Sequence, residues 1–107
     1  MIPQPGAGGA PARAAAYVYL LQSCRDDTSY VGWTTEPVRR LGEHNAGRST
    51  WTRRKRPWRL LGVEAHPNAE AAQRYERSLK RSPRKLALFK KRMLTQTATG
   101  RQRQVVG

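Results

Sequence analysis

Five consecutive residues, Tyr17, Val18, Tyr19, Leu20 and Leu21, narrow most what this chain can fold into. Strand side chains alternate between faces, so Tyr17, Tyr19 and Leu21 share one side and Val18 and Leu20 the other. Both sides are apolar. A strand of this kind sits in the middle of a domain or carries a site on one face. Residues 24–28 read as a connecting turn, and residues 30–33 (Tyr-Val-Gly-Trp) as a second strand returning antiparallel, which brings Tyr19 near Tyr30. That strand runs through Thr34 and Thr35 into a helix. Its expected parts are Thr35 as N-cap, Pro37 in the first turn, Val38 and Leu41 as the buried stripe, and Ala46 and Gly47 as the end.

On this helix Arg40 and His44 are four apart, so their side chains rise from one face. Arginine offers a fixed fork of donors for phosphate oxygens, and histidine exchanges a proton near neutral pH. The pair suits phosphate chemistry. Plainer readings stand beside it: Arg40 paired with Glu36 on the surface, His44 as a solvated histidine, Tyr19 as a core tyrosine. Gly32 leaves space in front of the sheet where a backbone or a substrate phosphate can approach, or else marks a bulge.

Residues 47–57, G-R-S-T-W-T-R-R-K-R-P, are the densest positive stretch. They lack an apolar period and read as a loop. Arg48, Arg53, Arg54, Lys55 and Arg56 are candidates to grip phosphates, and Trp51 to stack on an exposed base or to fold back onto the domain. Residues 58–65 read as a third strand. A turn at His66, Pro67 and Asn68 then leads into a helix over 69–80, with Asn68 as its cap. Ala69, Ala72, Glu76 and Leu79 fall on one stripe of that helix. Glu76 interrupts an apolar face and needs a partner there, either a divalent cation or Lys80, four residues on. Ser82 and Pro83 start a last helix to about Leu94, with Leu86, Leu88, Phe89 and Met93 as its apolar side. Residues 1–15, rich in Pro, Gly and Ala, read as a disordered leader, and 95–107 as a flexible basic tail.

The expected fold is therefore α+β, a small three-stranded antiparallel sheet flanked by helices in the order β-β-α-β-α-α, over residues 16–94. At 107 residues the chain is one domain, small enough to bury only about 60 to 65% of its unfolded surface. Its formal net charge is +14, from 21 Lys and Arg against 7 Asp and Glu. Such an excess attracts polyanions, of which nucleic acid is the commonest, and an RNA-binding role would explain the charge as well as a DNA-binding one. A single cysteine, Cys24, excludes an intrachain disulfide and a multi-cysteine zinc cluster. No secretory signal and no apolar run of membrane length is read, so a soluble cytoplasmic protein is expected.

Taken in order, Tyr17, Val18 and Tyr19, then Tyr30, Val31 and Gly32, then Arg40, His44 and Glu76 resemble the GIY-YIG nuclease family over residues 16–91, closest to its small single-domain members. Tyr17 stands where the family's name has glycine and Val31 where it has isoleucine. The asparagine that some members carry after the glutamate has no match. The resemblance implies a metal-dependent DNA endonuclease that hydrolyses phosphodiester bonds, structure-selective or nonspecific, in DNA repair or processing. It assigns Tyr19, Tyr30, Arg40, His44 and Glu76 to catalysis, with Glu76 holding Mg²⁺ or Mn²⁺, and leaves the general base open among Tyr19, Tyr30 and His44. The alternatives are a non-catalytic module that binds DNA or RNA, and a nuclease subunit that needs a partner.

Overall fold

The computed structural model describes residues 15–106, with side chains described for residues 15–96. The expected leader falls outside the described residues, apart from Ala15, which is buried. Strand β1 (Ala16–Ser23) is followed by β2 (Ser29–Thr34), helix α1 (Pro37–Asn45), a 3-10 turn (Arg53–Lys55), β3 (Trp58–His66), α2 (Ala69–Arg81) and α3 (Pro83–Val106). The sheet order is β2-β1-β3, antiparallel throughout. The doubly apolar strand is thus the central one. Among the described residues no helix is long and apolar enough to cross a membrane.

The two faces of β1 serve different ends. Ala16, Val18 and Leu20 join Val31, Leu61, Ala72, Leu79, Phe89 and Met93 in a core between the sheet and helices α2 and α3. Each of the larger of these side chains contributes about 1.5–3 kcal/mol by leaving water. Tyr19 and Leu21 pack on the opposite face with Trp58, Tyr30 and Leu41. That second cluster holds the site.

Helix ends follow their sequence signals with one exception. The Asn68 side chain accepts the Ala71 N–H at 2.8 Å, and the Ser82 hydroxyl accepts that of Lys85 at 3.2 Å, so α2 and α3 are capped as expected. Gly47, at φ +81°, takes the left-handed turn that ends α1. The exception is Thr35: the N-cap position of α1 is Glu36, without a side-chain cap, and Thr34 Oγ1 accepts its N–H at 3.1 Å.

Two packing expectations need correction. Val38 is 79% exposed, and α1 turns Leu41 and His44 inward instead. Leu88 is half exposed, leaving Leu86, Phe89 and Met93 to face the sheet. Past Leu94, the helical backbone of α3 extends to Val106. Close approach to β3 accounts for the start of this extension: a Cβ on Gly62 would lie 2.8 Å from Met93 Sδ and 2.6 Å from Gln96 Oε1. Gln96 uses the room to pair its amide with the N–H and C=O of Val63, at 3.2 and 3.4 Å.

Candidate active site

Strand register brings the two tyrosines together. Tyr19 lies opposite Gly32 and Leu21 opposite Tyr30, so both phenols stand on one face, with ring centroids 6.3 Å apart. The Tyr19 ring crosses the glycine. A Cβ at position 32 would sit 2.5 Å from Tyr19 Oη and 2.7 Å from Cζ. The space at Gly32 is therefore filled by Tyr19 rather than kept for a substrate, and the only register irregularity of β1 lies elsewhere, between Leu20 and Leu21 on the β3 side. Gly32→Ala should destabilise the fold by about 1–3 kcal/mol through overpacking. Thermal unfolding checks this, and an unchanged midpoint would mean that the phenol moves aside freely.

Helix α1 delivers His44 into this face, fully buried, which rules out the solvated reading. Its Nε2 lies 3.0 Å from Tyr19 Oη and its Nδ1 2.7 Å from the hydroxyl of Thr52, itself buried. Burial, with the charge of Arg40 adding to it, pushes His44 down to about 4, so the ring is neutral at pH 7. Burial likewise pushes Tyr19 up to about 12, and the Arg40 guanidinium beside the hydroxyl opposes only part of this. The neutral ring carries a single N–H, so it donates to one of its two hydroxyl partners, Tyr19 and Thr52, and accepts from the other.

Arg40 does not pair with the Glu36 side chain. Its Nη1 donates to Glu43 Oε1 at 2.8 Å, while Glu36 reaches Arg39 at 3.6 Å. The Arg40 side chain is 35% exposed at a small recess formed with Thr34, Thr35 and Glu43. Anchored in this way, it keeps donors for an incoming anion.

Glu76 enters from α2. Its side chain is 18% exposed, and its charge reaches Tyr19. Oε2 is held by Lys80 Nζ at 2.8 Å, and the same ammonium lies 5.4 Å above the ring centroid of Tyr30. Of the two partners the sequence offered, Lys80 is the one in contact. Among the described residues no three His, Cys, Asp or Glu side chains cluster as a metal site. A metal ion here would have Glu76 as its protein carboxylate. That donor set suits Mg²⁺, which is commonly held by one or two carboxylates together with waters and substrate phosphates.

An open cleft of about 530 Å³ lies beside these groups, lined by Tyr30, Lys80, Trp51, Thr52, Lys55, Trp58, Thr28 and Ser29. Access divides the site: Tyr19 and His44 are 2% and 0% exposed, whereas Tyr30 is half-buried and faces the cleft. The basic loop forms its rim. Trp51 is 83% exposed and does not fold back; the buried indole is that of Trp58, whose Nε1–H donates to Thr52 O at 2.8 Å. Arg48, Arg53, Arg54 and Arg56 are exposed. Lys55 differs, because its ammonium is held by Asp26 at 2.6 Å. The loop backbone is tied to the β1–β2 turn, with the Ser23 hydroxyl and the Cys24 N–H donating to Lys55 O and Pro57 O at 2.6 and 2.8 Å.

Sequence reasoning missed Thr52, Glu43 and Asn45. Asn45 pairs its amide with both backbone groups of Trp58, at 2.6 and 3.0 Å, and fixes the end of α1 to the start of β3. Glu43 lay three residues beyond Arg40, a spacing at which helical side chains meet, so that signal was present. Thr52 gave none.

The family model described as the GIY-YIG catalytic domain matches residues 15–92. A UPF0213 protein of Streptococcus sanguinis is 42% identical over 80 residues, 72% of this chain and 91% of that protein. The UPF0213 protein NP_0776A of Natronomonas pharaonis is 39% identical over 85 residues, 78% of this chain and 94% of its own length. The solution NMR structure of the UPF0213 protein BH0048 from Bacillus halodurans is 38% identical and covers 70% of this chain and 81% of that one, with a TM-score of 0.43.

Proposed function

The chain belongs to the GIY-YIG nuclease family, and from that membership we propose that it is a divalent-metal-dependent endonuclease that hydrolyses phosphodiester bonds in DNA. One observation supports the reading: Tyr19, Tyr30, His44, Arg40 and Glu76, from four elements, gather around one face of the sheet, beside an open cleft that Tyr30 and Lys80 line. A core tyrosine or a surface histidine would not need the others near it.

Each residue has work suited to its setting. Tyr30 is the general base by access, since Tyr19 and His44 are too buried to meet a water beside a bound phosphate. Its ring edge rests on His44, with centroids 5.2 Å apart, so the Thr52–His44–Tyr19 chain fixes the wall against which Tyr30 stands. Arg40 stabilises the extra negative charge of the transition state, and Glu76 holds the metal ion. When bound, Mg²⁺ or Mn²⁺ polarises the phosphate and offsets charge on the leaving oxygen. The exposed arginines of the loop neutralise flanking phosphates, and Trp51 offers a ring for an unpaired base.

The test is incubation with end-labelled single-stranded, duplex, flap and branched DNA, with Mg²⁺, Mn²⁺ or chelator, beside the Glu76→Ala protein. Cleavage that needs metal and disappears in the variant is expected. Tight, salt-sensitive binding without cleavage would support the non-catalytic module instead.

A further inference from the structure

Glu76 already holds a cation, and that cation occupies the wall of the cleft. Lys80 Nζ is 2.8 Å from Glu76 Oε2, at one end of a side chain that is half exposed and carried on a flexible four-carbon stem. The ammonium also stands over the ring of Tyr30, the site tyrosine that faces the cleft. Lys55, the other lysine on the cleft wall, is engaged by Asp26.

We infer that Lys80 is a built-in counter-ion of Glu76 that a divalent cation must displace, and that the displaced ammonium is taken up by a phosphate of the nucleic acid entering the cleft. The inference rests on the metal role proposed for Glu76. A half-buried carboxylate is costly without a partner, so Lys80 satisfies it in the free protein. A divalent ion on Glu76 would stand beside that ammonium and repel it. A phosphate diester supplies the missing negative charge on the cleft side. Metal and nucleic acid then bind cooperatively, and each tightens the other by the same factor.

Mn²⁺ titrations followed by the electron paramagnetic resonance of the free ion test this without any turnover. They are run with and without a phosphorothioate-linked oligonucleotide that resists cleavage, and corrected for Mn²⁺ taken up by the oligonucleotide alone. Lys80→Gln is expected to bind Mn²⁺ about fivefold or more tightly than the wild type in the absence of nucleic acid. It should also lose most of the tightening that the oligonucleotide causes. Lys80→Arg, which keeps the cation, should behave as the wild type. Equal or weaker Mn²⁺ binding by Lys80→Gln, with Glu76→Gln abolishing it, would overturn the counter-ion role and leave the nuclease reading intact. Wild-type Mn²⁺ binding by Glu76→Gln would overturn both.

Discussion

Replacing Arg40 with alanine should slow phosphodiester cleavage about 10²- to 10³-fold, the usual cost of removing one donor aimed at developing charge. Affinity for uncleaved nucleic acid should change by less than about fivefold, because many cationic groups share the ground-state phosphate contacts. The asymmetry comes from position. Arg40 is not on the exposed loop; it stands beside Tyr19 and is held in orientation by Glu43 at 2.8 Å. Arg40→Lys should recover little, since a point charge cannot replace a planar fork. Single-turnover rates measured beside equilibrium binding decide the matter. If rate and affinity fell together, Arg40 would be one more phosphate contact; an unchanged rate would remove it from the site.

Stability should plateau between about pH 6.5 and pH 10 and fall on both sides. His44 titrates near 6.5 when unfolded and near 4 when folded, so between those values the unfolded chain binds more protons. Its contribution is complete above about pH 6.5 and is lost as the pH falls to about 4, a change of about 3 kcal/mol. Tyr19 gives the opposite limb. Its folded value, about 12, lies above the unfolded value near 10, so stability is lost as the pH rises through that interval, by about 2 to 3 kcal/mol. Urea titrations across pH measure both limbs. Tyr19→Phe should flatten the alkaline one, and His44→Asn the acid one. A wild-type curve that is level from pH 4 to 6.5 would show that His44 charges in the folded state without cost.

The sheet was legible because alternation is a local signal: Tyr17 to Leu21 and Tyr30 to Trp33 declare both faces of their strands without reference to anything distant. The five residues that the resemblance assigned do meet around one face. Hydrophobicity misled at Val38, because a nine-residue helix lying over a site buries the residue the site needs, His44, and turns a valine out to water. Gly32 was misread because its neighbour is fixed by cross-strand register, which a single strand's sequence does not carry. Thr52 was invisible for a related reason. It lies in a loop without period, and its partner His44 meets it only because the loop is tied to the β1–β2 turn and to Trp58.

The two faces of β1 make a deletion a different event from a substitution. Losing one residue from this strand would turn Val18 and Leu20 toward the cleft and Tyr19 into the apolar core. Chemistry and folding would fail in the same step. Point changes on the site face, by contrast, leave the core face untouched. Of that face, half-buried Tyr30 is the position where new reactivity costs least stability, whereas Tyr19 and Leu21 are buried themselves and Gly32 must stay small enough for the ring of Tyr19.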